Sequence, residues 1–176
     1  MNDSKIALPL AVVTVSDTRT EESDKSGGVL VGCLEEAGHK LHSKQIVKDD
    51  VYQLRAEVSR LIADPGVKGV LMTGGTGFTD RDNTLKAIQP LLEQQIEGFG
   101  ELFRQLSYEE IGTSTIQSRV FAGLSNRTIV FCLPGSPGAC RTGWESIIQY
   151  QLDSTHRPCN FCLLYTSPSP RDLSTS

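Results

Sequence analysis

The sequence predicts an α/β protein, a three-layer α/β/α sandwich with a mostly parallel sheet, and three observations carry that prediction. Short apolar runs without polar alternation, such as "LPLAVVTV" from Leu8 to Val15, have the composition of strands buried on both faces. Between these runs, apolar residues recur at helical spacing. The two patterns alternate from the start of the chain, as in successive strand-helix-strand units.

Taken in order, Leu8 to Val15 is the first strand and is followed by the polar loop "SDTRTEESDKSGG". Val29, Leu30, Cys33, Leu34 and Ala37 then share one helical face, and Gly38 stops the helix. A weaker strand is expected near His42 to Val47. A helix follows with Leu54, Val58, Leu61 and Ile62 on one side. "GVKGVLMT" is the third strand. Leu85, Ile88, Leu91 and Leu92 mark a further helix, and "FGELFRQLSYEEIG" another, whose stripe of Phe99, Leu102, Phe103 and Leu106 suits a core or an interface. Thr128 to Leu133 is the last strand, and Ala139, Trp144, Ile147, Ile148 and Leu152 line the final helix. There is no internal repeat and no interdomain linker.

Bulk properties narrow the function classes. With 176 residues the chain holds one well-filled core, and a net charge of −4 supplies no basic field for nucleic acid. No apolar run approaches the roughly 20 residues of a membrane helix. The N-terminal stretch lacks the basic start and cleavage site of a signal peptide. Five cysteines at irregular spacing point to reduced thiols in a cytoplasm.

The end of the chain breaks the pattern. "CLLYTSPSPRDLSTS" is rich in Ser and Pro and continues no hydrophobic period, which reads as a disordered tail. The stretch also resembles the translation of a sequencing adapter. On that reading the native domain spans residues 7–161, residues 162–176 are foreign to it, and the C-x-x-C pair Cys159 and Cys162 is accidental.

In open α/β sheets ligands bind beyond the carboxyl ends of the strands, and three loops of this sequence fall there: "SDT", "TGGTGFTDRD" and "PGSPGA". Gly74, Gly75 and Gly77 let backbone N–H groups approach an anion, with Thr73, Thr76 and Thr79 as added donors. The stretch is neither a P-loop, since Phe78 and Thr79 follow Gly77, nor a dinucleotide fingerprint, since Asp80 stands where a third glycine belongs. An ordinary strand-to-helix turn would use the same glycines. Asp80 and Asp82 beside a phosphate cradle would repel the ligand unless a cation bridges them, which suggests Mg²⁺ at Asp82; capping of the next helix is the alternative. Asp49 and Asp50 end the second strand on the same sheet edge, as helix caps or as metal or phosphate contacts. "IGTSTIQSR" gathers hydroxyls, an amide and Arg119 suited to a polar heterocycle or a terminal phosphate.

Together, "TVSDTR", "MTGGTGFTDRD", "EGFGELFRQLSYEEIGTSTIQSR", "LPGSPGACRT" and "RPCNF" resemble the MoaB/MogA family of molybdopterin-binding domains, within it the molybdenum cofactor biosynthesis protein B group, from about Ala11 to Phe161. The resemblance implies an oligomer, trimeric or hexameric, and binding of molybdopterin, a pterin dithiolene with a terminal phosphate. In catalytic members MgATP adenylylates that phosphate; a non-catalytic carrier is the alternative. Ser16, Asp17, Thr73, Gly74, Gly75, Thr76, Gly77, Ser114, Ser118, Arg119, Pro134, Gly135 and Ser136 would then bind substrate. Asp49 and Asp82 would carry Mg²⁺ and catalysis, and Arg81 or Arg119 would neutralise further charge. Asp80 and Leu85 depart from the family, which often has proline at both places.

Overall fold

The computed structural model describes residues 4–166. Six strands form one sheet in the order β2-β1-β3-β6-β5-β4. β1 (Pro9–Val15), β2 (Lys40–Val47), β3 (Gly69–Thr73) and β6 (Thr128–Leu133) run parallel; the near-continuous apolar composition of β1, β3 and β6 predicts this, whereas β2, at the sheet edge, is largely polar. Two short strands extend the sheet antiparallel beyond β6. They are β5 (Phe121–Ser125) and the two-residue β4 (Gln94–Gln95), which the sequence reading passes over. β5 and β6 are joined by a tight turn with Asn126 and Arg127 both at positive φ, the conformation whose twist matches a hairpin.

Helices cover both faces, and the strand residues divide between them by parity. Leu10 and Val12 of β1, Leu71 of β3 and Phe131 of β6 point into one core with α1 (Lys25–Glu36), α4 (Glu97–Ile111) and α5 (Pro137–Gly143). Ala11, Val13, Val70, Met72 and Val130 point into the other, against α2 (Val51–Ala63) and α3 (Thr84–Ile88). Each large side chain buried in these layers contributes about 1.5–3 kcal/mol relative to exposure. α5 continues through a π-helical segment (Trp144–Ile148) into the short α6 (Gln149–Gln151), so the final helix predicted from Ala139 to Leu152 has a wide turn at Trp144.

Several helix ends have identifiable causes. Asp24 caps α1 by accepting the Gly27 N–H at 3.0 Å, and Asp50 caps α2 by accepting from Tyr52 and Gln53 at 3.0 and 2.9 Å. α3 is shorter than the apolar spacing through Leu92 predicts. Pro90 lies in a 3-10 turn, Gln89–Leu91, that ends the helical run. In α4, Phe99 and Phe103 are buried in the chain's own core, whereas Leu102 is exposed.

The chain continues past Phe161 into α7 (Leu163–Thr166). Cys162 is buried in the first core, and the Tyr165 hydroxyl donates to the Lys68 carbonyl. Residues 167–176, the remainder of the stretch read as a tail, lie outside the described residues.

Candidate functional site

The register of the sheet explains why distant loops meet. Thr14 is opposite Thr73, and Thr73 is opposite Leu133, so β1, β3 and β6 end almost level. The loops that follow line a cleft of about 600 Å³ beside α4. It lies over the carboxyl ends of the strands, where the chain turns to β2 on one side of β1 and to β3 on the other.

The loop after β3 requires its glycines. At Gly74 (φ +102°) a Cβ would stand 2.5 Å from the Val15 carbonyl oxygen. At Gly75 (φ +68°) it would stand 2.3 Å from Thr84 Oγ1. Thr84 fastens the loop by donating its hydroxyl to the Gly74 carbonyl at 2.8 Å and its N–H to the Gly75 carbonyl at 3.0 Å. The far end is held by Asp82, whose Oδ2 accepts the Thr79 N–H at 2.9 Å and the Thr79 hydroxyl at 2.7 Å. Asp82 thus closes its own loop; α3 has Asn83 at its cap position, with no side-chain cap bond. Asp80 is exposed and does not cap α3.

Ser16, Asp17, Asp49, Gly74, Gly75, Thr76, Gly77, Asp82, Ser114, Ser118, Pro134, Gly135 and Ser136 all line the cleft. Two residues expected to contact substrate stand elsewhere. Thr73 is fully buried, donates to the Pro134 carbonyl at 2.7 Å and accepts from the Cys140 thiol at 3.2 Å, tying β3 to the loop after β6. Arg119 is outside the lining because its guanidinium donates to the carbonyls of Gly77 and Asp82 and lies 4.8 Å from the centre of the Phe78 ring. It braces the loop from behind.

Three carboxylates share the cleft, and their surroundings differ. Burial raises the Asp49 carboxyl above its ordinary range. Asn83 opposes that by hydrogen bonding, and the charges of Asp82 and Asp17 reinforce it. At Asp82 burial also pushes upward, but the bonds from Thr79 and Gly77 and the charge of Arg119 hold the group below its usual value. Asp17 is lowered chiefly by its hydrogen bond from Arg81. Ser118 Oγ is buried at the cleft without a hydrogen-bond partner among the described residues. Ser136 caps α5 by accepting the Ala139 N–H at 3.2 Å.

The sequence reading missed the wall opposite the loops. Phe103, Ser107 and Ile111 of α4 line the cleft. Their four-residue spacing was the available signal, since it puts them on one helical face. Thr18 and Ala139, which belong to the "SDT" and "PGSPGA" loops but were not singled out as ligand contacts, also line it.

A largely apolar cleft with a glycine-rich loop, converging hydroxyls and a buried acid at the switch point of the sheet defines an α/β protein with a small-molecule binding cleft. The profile of the family described as "Probable molybdopterin binding domain" matches residues 11–154. The chain belongs to that family, the molybdopterin-binding domains of molybdenum cofactor biosynthesis.

It is 54% identical over 156 residues to molybdenum cofactor biosynthesis protein B of Escherichia coli (strain K12), covering 89% of this chain and 92% of that protein. The Bacillus subtilis (strain 168) protein of the same name is 48% identical over 142 residues, covering 80% and 84%. A crystal structure of a molybdenum cofactor biosynthesis protein B superposes with a TM-score of 0.82 at 46% identity, over 85% of this chain and 93% of that one. The tungsten cofactor synthesizing protein MoaB from Pyrococcus furiosus gives 0.73 at 37%, over 81% and 91%. These likenesses agree with the predicted sandwich and with the resemblance drawn from the motifs. No helix among the described residues is long and apolar enough to cross a membrane.

Proposed function

We propose that the chain binds molybdopterin in this cleft and adenylylates its terminal phosphate with MgATP. The observation that carries the reading is the juxtaposition of a glycine cradle with the buried carboxylate of Asp49, whose Oδ2 would lie 3.2 Å from a Cβ at Gly75. A phosphate oxygen of molybdopterin attacks the α-phosphorus of ATP, a phosphoanhydride forms, and pyrophosphate leaves.

The cradle holds one anion by backbone N–H groups and the face of α4 shields it from water. The unpartnered Ser118 hydroxyl and Ser114 suit the polar edge of the pterin.

The donor set fits Mg²⁺. It is all oxygen, it brings two carboxylates together, and Asp49 is raised in pKa by burial, a cost that a cation relieves. Among the described residues no three His, Cys, Asp or Glu side chains gather as a metal cluster, so Asp49 and Asp82 would hold the ion with phosphate oxygens and water completing its shell. Bound there, magnesium would supply charge neutralisation between the two reacting anions.

A non-catalytic molybdopterin carrier is the second reading, favoured by one observation: Asp82 Oδ2 is already committed to Thr79. We also assign a homo-oligomer to the protein, supported by exposed Leu102, Tyr108, Ile111 and Ile116 around α4, and a cytoplasmic setting, supported by the free thiols of Cys33, Cys132 and Cys140.

The deciding experiment incubates the full chain with molybdopterin and MgATP and separates adenylyl-molybdopterin by chromatography. Product that is lost in Asp82→Asn supports catalysis with a metal at that residue. Tight molybdopterin binding without product selects the carrier, and absence of both rejects the functional reading.

A further inference from the structure

The cleft contains one cationic side chain among its described lining residues, Arg81, and that side chain is paired with an acid of the same lining. Its Nε and Nη2 both donate to the same oxygen, Asp17 Oδ2, at 2.9 and 2.6 Å. The other oxygen of Asp17 accepts the Asp49 N–H at 3.1 Å, so Asp17 is anchored independently of Arg81.

The Arg81 backbone is fixed separately, its N–H donating to Thr79 Oγ1 at 3.2 Å, so the guanidinium can leave Asp17 without moving the loop. Its side chain is 66% exposed. The second arginine of the region, Arg119, is fully engaged by carbonyls and cannot take this part without releasing the loop.

We propose that Arg81 is an exchangeable anion-binding residue: a phosphate arriving in the cradle takes the guanidinium from Asp17, and Asp17 sets how tightly the anion is bound by competing for it. Three physical points support this. An ion pair this open to water is held weakly. Both prongs of the Arg81 fork converge on one carboxylate oxygen, whereas a phosphate offers a separate oxygen to each. With Asp17, Asp49 and Asp82 in the lining, an incoming phosphate meets surplus negative charge, and Arg81 is the side chain placed to offset it. The proposal rests on the reading of the cleft as a phosphate site and goes beyond it by naming the residue that moves and the residue that restrains it.

The test is a double-mutant cycle on the full chain, read as the dissociation constant for inorganic pyrophosphate by titration calorimetry without magnesium. Asp17→Asn keeps an acceptor for the Asp49 N–H but releases the guanidinium, and is expected to tighten pyrophosphate by about three- to tenfold. Arg81→Gln is expected to weaken it about tenfold, with Arg81→Lys between the two because lysine keeps the charge without the fork. In the Arg81→Gln background, Asp17→Asn should change affinity by about twofold or less.

A gain from Asp17→Asn that persists undiminished without Arg81 is a through-space charge effect and overturns the exchange. Wild-type affinity in Arg81→Gln overturns it too, as does a wild-type protein with no saturable pyrophosphate binding. Adenylyl transfer is not read in this cycle, so the two ideas fail separately. Coupling without product retains the exchange and removes the catalysis, and product without coupling does the reverse.

Discussion

Asp49 and Asn83 hold each other by two hydrogen bonds that run in the same direction. The Asn83 N–H donates to Asp49 Oδ1 at 2.9 Å, and the Asn83 side-chain amide donates to the Asp49 carbonyl at 3.2 Å. The buried acid at the end of β2 therefore also fixes the start of α3, so its structural and chemical roles are separable by substitution.

Asp49→Asn retains an oxygen that accepts from Asn83 and should leave the melting temperature within a few degrees of wild type while adenylyl-molybdopterin formation falls. Asp49→Ala leaves the Asn83 N–H without its acceptor and should cost a further 1–3 kcal/mol or so in stability. Urea titration of both variants beside the product assay checks this. Equal destabilisation by Asn and Ala would mean that the carboxylate charge, and not the acceptor, secures α3.

Two glycines should respond with opposite signs. Gly74→Ala forces a Cβ against the Val15 carbonyl at positive φ and is expected to destabilise the fold by on the order of 2–3 kcal/mol. Gly28 lies within α1 with nothing within 4 Å of its would-be Cβ, so Gly28→Ala is expected to stabilise by about 0.5–1 kcal/mol. The urea midpoints of the two variants should move in opposite directions.

Arg119→Met should loosen the loop from Gly77 to Asp82 while leaving the sheet intact. It removes the donors to the Gly77 and Asp82 carbonyls and keeps an apolar contact for Phe78. Faster amide exchange confined to residues 77–82, with molybdopterin affinity reduced by about tenfold, is the expected pattern. Unchanged exchange in that segment would show that the Asp82–Thr79 bonds suffice to hold it.

Acid should weaken the protein through His39. Its Nδ1 accepts the Leu8 N–H at 3.1 Å and its Nε2 has no hydrogen-bond partner among the described residues, while burial lowers its pKa, with the charge of Lys5 adding to the effect. The unfolded imidazole titrates near 6.5, so between that value and the lower folded value the unfolded chain binds more protons. The His39 contribution is complete above about pH 6.5 and is lost as pH falls toward the folded pKa. Thermal melts of wild type and His39→Gln from about pH 8 to about pH 5 should show a shallower acid slope in the variant.

Thiol reactivity should separate the cysteines by burial. Cys159 is exposed, whereas Cys140 is buried, with its thiol pushed up to about 11, mainly by burial. A disulfide reagent added to the native protein should label Cys159 first, and Cys33, Cys132 and Cys140 only after unfolding, as peptide mapping would show.

Much of the fold was legible because buried parallel strands leave a plain trace. "LPLAVVTV", "GVLMT" and "TIVFCL" have no partner-dependent alternation to decode, and both of their faces meet helices. β5 and β4 left no such trace. "FAGLS" is short and interrupted by Gly123, and "QQ" has no apolar content at all. Their pairing is settled by tertiary approach, since a Cβ at Gly123 would stand 2.5 Å from Leu92 Cδ1 and 2.7 Å from the Gln94 carbonyl oxygen.

By itself the sequence determined the sandwich, the three loops of the cleft and the glycines that let one of them pass close to β1. These depend on local composition and on where strands end, which periodicity and turn chemistry encode directly. Only the tertiary structure decided how individual polar residues are used. Thr73 and Arg119 had the right chemistry for a ligand but spend their hydrogen bonds on Pro134, Gly77 and Asp82. Arg81 meets Asp17 across 64 residues of chain, and Asn83 meets Asp49 across 34. Hydrogen-bonding capacity is a property of the residue type, but the partner that satisfies it is set by which loops the sheet register brings level, and no local window of sequence contains that.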